Sequence, residues 1–572
     1  MFSSVISTLL LFVLCFTTFH PRPVDSNVTY IAPELQNSSC TPTQSPCYTL
    51  SQYRISGVPS SNTTFMFLPG NHHLSYQLSV TNIHHLTFSA LNDNVTVTIN
   101  CTSSGNLLLE AIQEVHVNNI DFNGCIMNRM LTISHLILIY LRFHKQGSSY
   151  YSTLELVNVN AIITNCYFSA EIDDMDYSSG ALVVTRSNAS IANSLFVGNR
   201  AQSGGAIHAT DDSTLSLENN VFDSNRAIRG GAIMTSVSSS ISILNNNFSN
   251  NIGLYGGALN IEQSEVNVIS TIFHNNSAQD DYNSWSQYGG AMYCNNATII
   301  IDDVTLVSNR ARLGGGIYAI RYSTVTITGN SVVSHNYADY GGGGIYVSSS
   351  SSFSLYDNSR VDNNHAGYCG GGIYAISNCT LFIAGNNTIN SNQAWYGGGG
   401  IYVTDHSTVT LTGGSTVSNN QASYGGALYC GWNLIVFINH STLVNNTADY
   451  GGGVDGYECI LEIYNSNFEL NTAMFDGGAI NGGIELNIYN TGFATNKVVY
   501  GRGGAINTYQ KFLRLIRCIL HNNTASQCGA LTATMLEINQ SIFTHNTATG
   551  VDERGGGGAL CVWNGYVNID TK

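Results

Sequence analysis

Charge is scarce in this chain. Only 10% of its 572 residues are Asp, Glu, Lys or Arg, four of them are lysine, and the formal net charge is −16. So few cations on so acidic a chain exclude nucleic acid and anionic membrane as expected partners. Helical periodicity is absent: no stretch repeats apolar residues at three- and four-residue steps. Metal-ligand spacing is absent too, with no Cys-x-x-Cys and no Cys/His pair in register, so neither a metal nor another cofactor is expected. Beyond the first twenty residues no apolar run is long enough to cross a bilayer. The strongest, Leu131–Leu141 (LTISHLILIYL), contains a histidine and suits a buried strand, so no membrane span is expected within this chain.

The N-terminus does carry an apolar run. Val5–Phe19 (VISTLLLFVLCFTTF) precedes Pro21 and Pro23, which reads as a secretory signal peptide over residues 1–26, although no Lys or Arg lies ahead of it. Removing it with Cys15 leaves thirteen cysteines. Cys40 and Cys47 bracket the segment TPTQSP and are expected to close a disulfide in an N-terminal cap over residues 27–60. Cys101 with Cys125, and Cys369 with Cys379, are weaker candidates, and the odd total leaves one thiol free or paired outside this chain. Fifteen N-x-S/T sequons occur, the first at Asn27, Asn37, Asn62 and Asn94. Signal, cysteines and sequons together predict an extracellular or cell-surface glycoprotein made on the secretory pathway. Gly555–Leu560 opens one more repeat shortly before Lys572. Solenoid ends need capping, so a longer natural chain is expected.

The repeat is the dominant signal. Gly-Gly-Ala-Ile or a close variant occurs fifteen times between Leu182 and Leu560, in fourteen steps averaging 27.0 residues. Units of that length stack, each burying its apolar face only against its neighbours. Within residues 387–411, Ile401 and Val403 point to one face of a strand and Tyr402 to the other. Val409 and Leu411 form a second alternating segment. A third segment ends in an apolar-x-x-Asn signature, such as Phe196/Asn199, Phe222/Asn225 and Val361/Asn364. Three short strands per repeat describe a coil of parallel β-helix. The asparagines are expected to form an amide ladder at a left-handed turn, and the glycines to supply a sharp corner. The prediction is an all-β, single-domain, elongated solenoid of about 18 coils, with early coils over residues 61–175 and regular repeats over 176–572.

These paired motifs resemble those of the chlamydial polymorphic outer membrane proteins. They are also similar to secreted right-handed parallel β-helix proteins of animals such as sponges, within the pectate-lyase-like superfamily. The resemblance covers roughly residues 180–565 and implies a right-handed coil. No C-terminal autotransporter barrel follows, so the chain looks like the animal branch.

Enzymes of that superfamily act on polysaccharides, with carboxylates converging from adjacent coils. The acidic doublets Asp173–Asp174, Asp211–Asp212, Asp280–Asp281 and Asp302–Asp303 do not stack when counted from the glycine motifs. Glu458 and Glu485 come nearest to a cross-coil pair, with no Lys or Arg in register. The polygalacturonase-like NTD, DD and GHG set is missing, so no catalytic residue is assigned. The leading expectation is a non-enzymatic surface, adhesion or spacer protein; the alternative is a polysaccharide lyase or glycoside hydrolase. The binding candidates are aromatic. Tyr293, Tyr318, Tyr346, Tyr374, Tyr402 and Tyr429 follow the inward apolar residue of six consecutive motifs, and alternation turns them outward into a column. A second set, Tyr255, Tyr288, Tyr340, Tyr396, Tyr424 and Tyr450, precedes the glycines. Such a column either binds an extracellular glycan or protein or only stiffens the sheet.

Overall fold

The computed structural model describes residues 27–33, 47–50, 62–91, 96–101, 105–125, 128–146, 152–171, 180–279, 286–550, 557–562 and 566–570. Every regular element among them is a strand, and every strand pairing is parallel to the coil before or after it. The signal segment 1–26, Cys40 with its expected partner Cys47, Asn37, Asn94 and the doublets Asp173–Asp174 and Asp280–Asp281 fall wholly or partly outside the described residues. The first described strand, Asn27–Ile31, already stacks in register on Asn62–Phe67.

Most regular coils contain four strands where the sequence pattern predicts three. One coil runs through Ile317–Ile320 after the glycines, then Thr324–Thr328, Val332–Ser334 and Tyr337–Gly341. We call these the glycine, middle, ladder and corner strands. The corner strand escapes sequence reading because it is short and mostly polar. Ladder strands stack 19 high from Gly70–Leu74 to Ile542–Thr544, which makes 18 coil steps, as the period predicts.

Register follows the motif. The fifteen apolar residues from Leu182 to Leu560 pair directly, each with its counterpart one coil on. Side chains pointing inward form one continuous core. Its most regular part is a stack of phenylalanines from Phe122 through Phe143, Phe168, Phe196, Phe222 and Phe248 to Phe273, with centroids 4.6–5.2 Å apart. Each buried ring contributes about 1.5–3 kcal/mol by leaving water.

The asparagine ladder forms at the predicted residues. The side-chain amide of Asn364 donates to Asn392 Oδ1 at 3.0 Å and to the Val333 carbonyl at 2.9 Å. Its backbone N–H donates to the same Asn392 oxygen at 2.9 Å. The left-handed residue is the one before it, Asn363 at φ 53°, not the ladder asparagine. The turn therefore divides its needs: one residue takes the positive φ and the next fills the interior with hydrogen bonds.

The glycine pair divides its needs in the same way. Gly425 has φ +61°, and a Cβ there would lie 2.2 Å from the Leu428 carbonyl oxygen. Gly426 has no such φ, but a Cβ would lie 2.4 Å from the Gly452 oxygen one coil on. One glycine turns the chain and the other lets two coils meet.

Among the described residues three disulfides close between adjacent coils: Cys101–Cys125, Cys430–Cys459 and Cys528–Cys561. The expected Cys369–Cys379 bridge does not form. The glycine strand Ile373–Ile376 separates the two residues, and both thiols are free and buried. Cys166, Cys294 and Cys518 are likewise buried free thiols, so among the described residues five cysteines serve as small apolar residues, where the odd total predicts one thiol free or paired outside this chain.

Candidate functional site

The six candidate tyrosines sit directly opposite one another at the outward position of successive glycine strands. Their rings stack as the spacing predicts: Tyr318 on Tyr346 at 4.9 Å, Tyr346 on Tyr374 at 4.8 Å, and Tyr402 on Tyr429 at 4.8 Å. The expectation that this column faces solvent needs correction. Tyr293, Tyr318, Tyr374 and Tyr429 are buried, and Tyr346 and Tyr402 are only partly exposed. Burial pushes all six phenols up, Tyr293 to about 12.

The corner strand is the cause. As the chain returns toward the glycines it folds across the outward face of the sheet and lays its own aromatic rings there. Tyr288 stacks on Tyr318 at 4.8 Å, and Tyr255 meets Tyr293 edge-on at 5.4 Å. Where the inner rings need more room, the covering residue shrinks. A Cβ on Gly341 would lie 3.3 Å from the Tyr374 ring and one on Gly397 would lie 3.1 Å from the Tyr402 ring. The equivalent position one coil on from Gly341 is Cys369, again a small residue. Alternation correctly places these tyrosines outside the main core, but a second, outer core encloses them.

Beyond Tyr429 the same register continues as Asp455, Asn481 and Asn507. Asn481 donates to Asp455 Oδ1 at 2.7 Å and Asn507 to Asn481 Oδ1 at 2.9 Å. Burial raises the Asp455 carboxyl to about 7, against the bond from Asn481.

Aromatic surface does reach solvent, one layer further out. Tyr340, Tyr368, Tyr396, Tyr424, Tyr450 and Phe475 form an outer row with centroids 5.0–5.5 Å apart. Within it Tyr368 and Tyr396 lie 12° from parallel and Tyr424 and Tyr450 7°, so these pairs cover each other's faces, while Tyr396 and Tyr424 are tilted by 49°. Trp395 differs in its exposure. It is 69% exposed and leans against Tyr368 at 5.8 Å with a 36° tilt, which leaves indole surface open. Beside this row Arg310 lies over the Tyr337 ring at 4.8 Å and bonds Asp339 at 2.9 Å. Sequence reading found four of the outer tyrosines. It missed Tyr368, because Cys369 intervenes before the glycine, and Trp395, because nothing in its own repeat marks it.

A second polar site lies on the middle strands. The Glu458/Glu485 pairing is not formed: Glu458 lies opposite Trp432, and Glu485 opposite Ile460. Counting from the glycines fails here because Leu428–Asn439 and Val454–Tyr464 run through the turn as single strands. In its place Glu462, Asn487, Arg514 and Glu537 stand in register on four adjacent coils. Asn487 Nδ2 donates to Glu462 at 2.7 Å and to Glu485 at 3.0 Å, which holds those two carboxylates close together. Arg514 Nε bonds Glu537 at 2.9 Å and Tyr464 donates to Glu462 at 2.8 Å. Asp211 and Asp212 occupy consecutive left-handed positions of a turn. Among the described residues no three His, Cys, Asp or Glu side chains converge as metal ligands.

No curated protein matches this chain. The family described as right-handed β-helix region matches residues 146–332 and 284–454. The two matches overlap and together cover more than half of the 572 residues. With its stacked parallel coils and interior ladder, the chain belongs to the right-handed β-helix family.

Proposed function

We propose that this chain is a non-enzymatic extracellular protein, a stiff β-helical spacer or adhesion module whose corner surface binds a glycan or protein. The observation that carries this reading is the outer aromatic row with Trp395 open beside it, since exposed aromatic anchors concentrate binding energy at protein surfaces. The inner tyrosines Tyr293 to Tyr429 support that surface from beneath. Residues 1–26 act as the signal peptide and 27–60 as the cap, a reading supported by the apolar N-terminus and by three disulfides, which persist in oxidising compartments. The motif resemblance to the chlamydial proteins and their animal counterparts favours the same surface role. The test is binding of purified protein to a glycan array and to intact cells. Trp395→Ala with Tyr340→Ala should abolish binding and leave the melting temperature unchanged; wild-type protein that binds neither, or a variant that binds equally, overturns the proposal.

One observation favours the alternative, a polysaccharide lyase or glycoside hydrolase. Glu462 and Glu485 are drawn together by one amide, with Arg514 and Tyr464 alongside, and paired carboxylates are the groups glycoside hydrolysis requires. Turnover of pectin, alginate, hyaluronan or chondroitin that disappears in Glu462→Gln or Glu485→Gln would establish this reading and defeat the first.

A further inference from the structure

The turn between the middle and ladder strands repeats a left-handed residue. It is Asn119, Asn165 and Asn193 in three of the early coils, with φ 56°, 53° and 49°. Asparagine tolerates that backbone; bulky residues rarely adopt it. In the coil between Asn119 and Asn165 the position is Tyr140, with φ 52° and a side chain 60% exposed. Large residues take the same turn position in other coils, His440 and Arg517 with φ 47° and 54°, so the backbone alone does not single Tyr140 out; its ring covers no core and stands open to solvent.

Tyr140 lines a groove of about 1160 Å³ that crosses five coils from Thr96 to Leu195. Four coil steps of ~4.8 Å give it a length of roughly 19 Å. The adjoining ladder strands, which elsewhere present mostly Thr, Val or Ile, carry Asp121, Arg142 and Tyr167 directly opposite one another. Arg142 lies 3.9 Å from Asp121, so their charges offset. His144 is held by the Ser169 hydroxyl at 2.8 Å, and its ring leans on Tyr167 at 5.4 Å.

We propose that this groove binds an uncharged oligosaccharide, with the Tyr140 ring as platform and Asp121, Arg142 and the turn asparagines bonding its hydroxyls. The planar amide, carboxylate and guanidinium groups offer donors and acceptors side by side, which suits paired hydroxyls. The offset charges give no pull on an anion, and the net charge of −16 opposes one. An apolar peptide would find too little apolar lining. The groove is separate from the aromatic row, so this site stands or falls independently of the function proposed above.

The test is titration calorimetry on the full chain with cellohexaose, mannohexaose and chitohexaose, and with hexagalacturonate as the charged probe. At least one neutral hexaose should bind. Tyr140→Asn should weaken it tenfold or more while the melting temperature holds or rises, because asparagine relieves the backbone. Trp395→Ala should leave this binding unchanged. No binding of any neutral hexaose at millimolar concentration, equal binding by Tyr140→Asn, loss through Trp395→Ala, or tightest binding of hexagalacturonate would each overturn the proposal.

Discussion

The ring of Tyr374 stacks on that of Tyr402 with centroids 4.9 Å apart and planes 10° from parallel, yet neither ring belongs to the interior of the coil. Both lie on the outward face of the glycine strands, beneath the returning corner strand. The solenoid thus has two cores, one inside the coil and one under its corner, and the same tyrosines that look like a binding face from the sequence serve as the floor of that second core.

The two aromatic layers should respond differently to truncation. Tyr374→Ala removes a buried ring and should cost about 3–5 kcal/mol, read as a fall in the urea midpoint. Trp395→Ala removes an exposed one and should change stability by no more than about 0.5 kcal/mol. Equal stability of both variants would refute the layered arrangement.

The asparagine ladder should be intolerant of gaps. Asn364 Oδ1 accepts both the backbone N–H and the side-chain amide of Asn336 at 3.0 Å. Asn364→Ala orphans both buried donors and should cost about 2–4 kcal/mol. Hydrogen exchange at the Asn336 amide should accelerate along with global destabilisation.

Stability should depend on pH through Asp455. Its folded pKa of about 7 lies above the unfolded value near 3.9, so the native state binds the extra proton between them. The protein is then most stable, as far as this group is concerned, below about pH 4, and loses that stability as pH rises through about 7, by at most about 4 kcal/mol. Urea midpoints at pH 5 and pH 8 should differ in that direction. Asp455→Asn, which retains an oxygen to accept from Asn481, should remove the difference.

Disulfide mapping by mass spectrometry without reduction should find Cys101–Cys125, Cys430–Cys459 and Cys528–Cys561 joined, and Cys369 and Cys379 as thiols. Replacing Cys430 and Cys459 with serine should cost about 2–4 kcal/mol. A Cys369–Cys379 crosslink in folded protein would contradict the placement of the glycine strand Ile373–Ile376 between them.

Much of the architecture was legible in the chain. Leu182 to Leu560 announced the coil period, and Phe196/Asn199 and its successors fixed which residues stack. Both signals survive because in a parallel solenoid each residue meets its own counterpart one coil away, so a repeat in sequence is a contact in space. The sites were less legible. Glu462 and Asn487 come together only because some turns are straightened into continuous strands, which shifts the count from the glycines. Tyr140 is one substitution in one turn, and its neighbours in sequence do not mark it.

The sequence alone determined which side of each strand a residue occupies, because alternation at two residues is a property of the extended backbone itself. Tertiary structure decided which outward residues meet water. That depends on where the short polar corner strand lies, and its path is set by packing over the sheet; it buries Tyr374 and leaves Trp395 exposed.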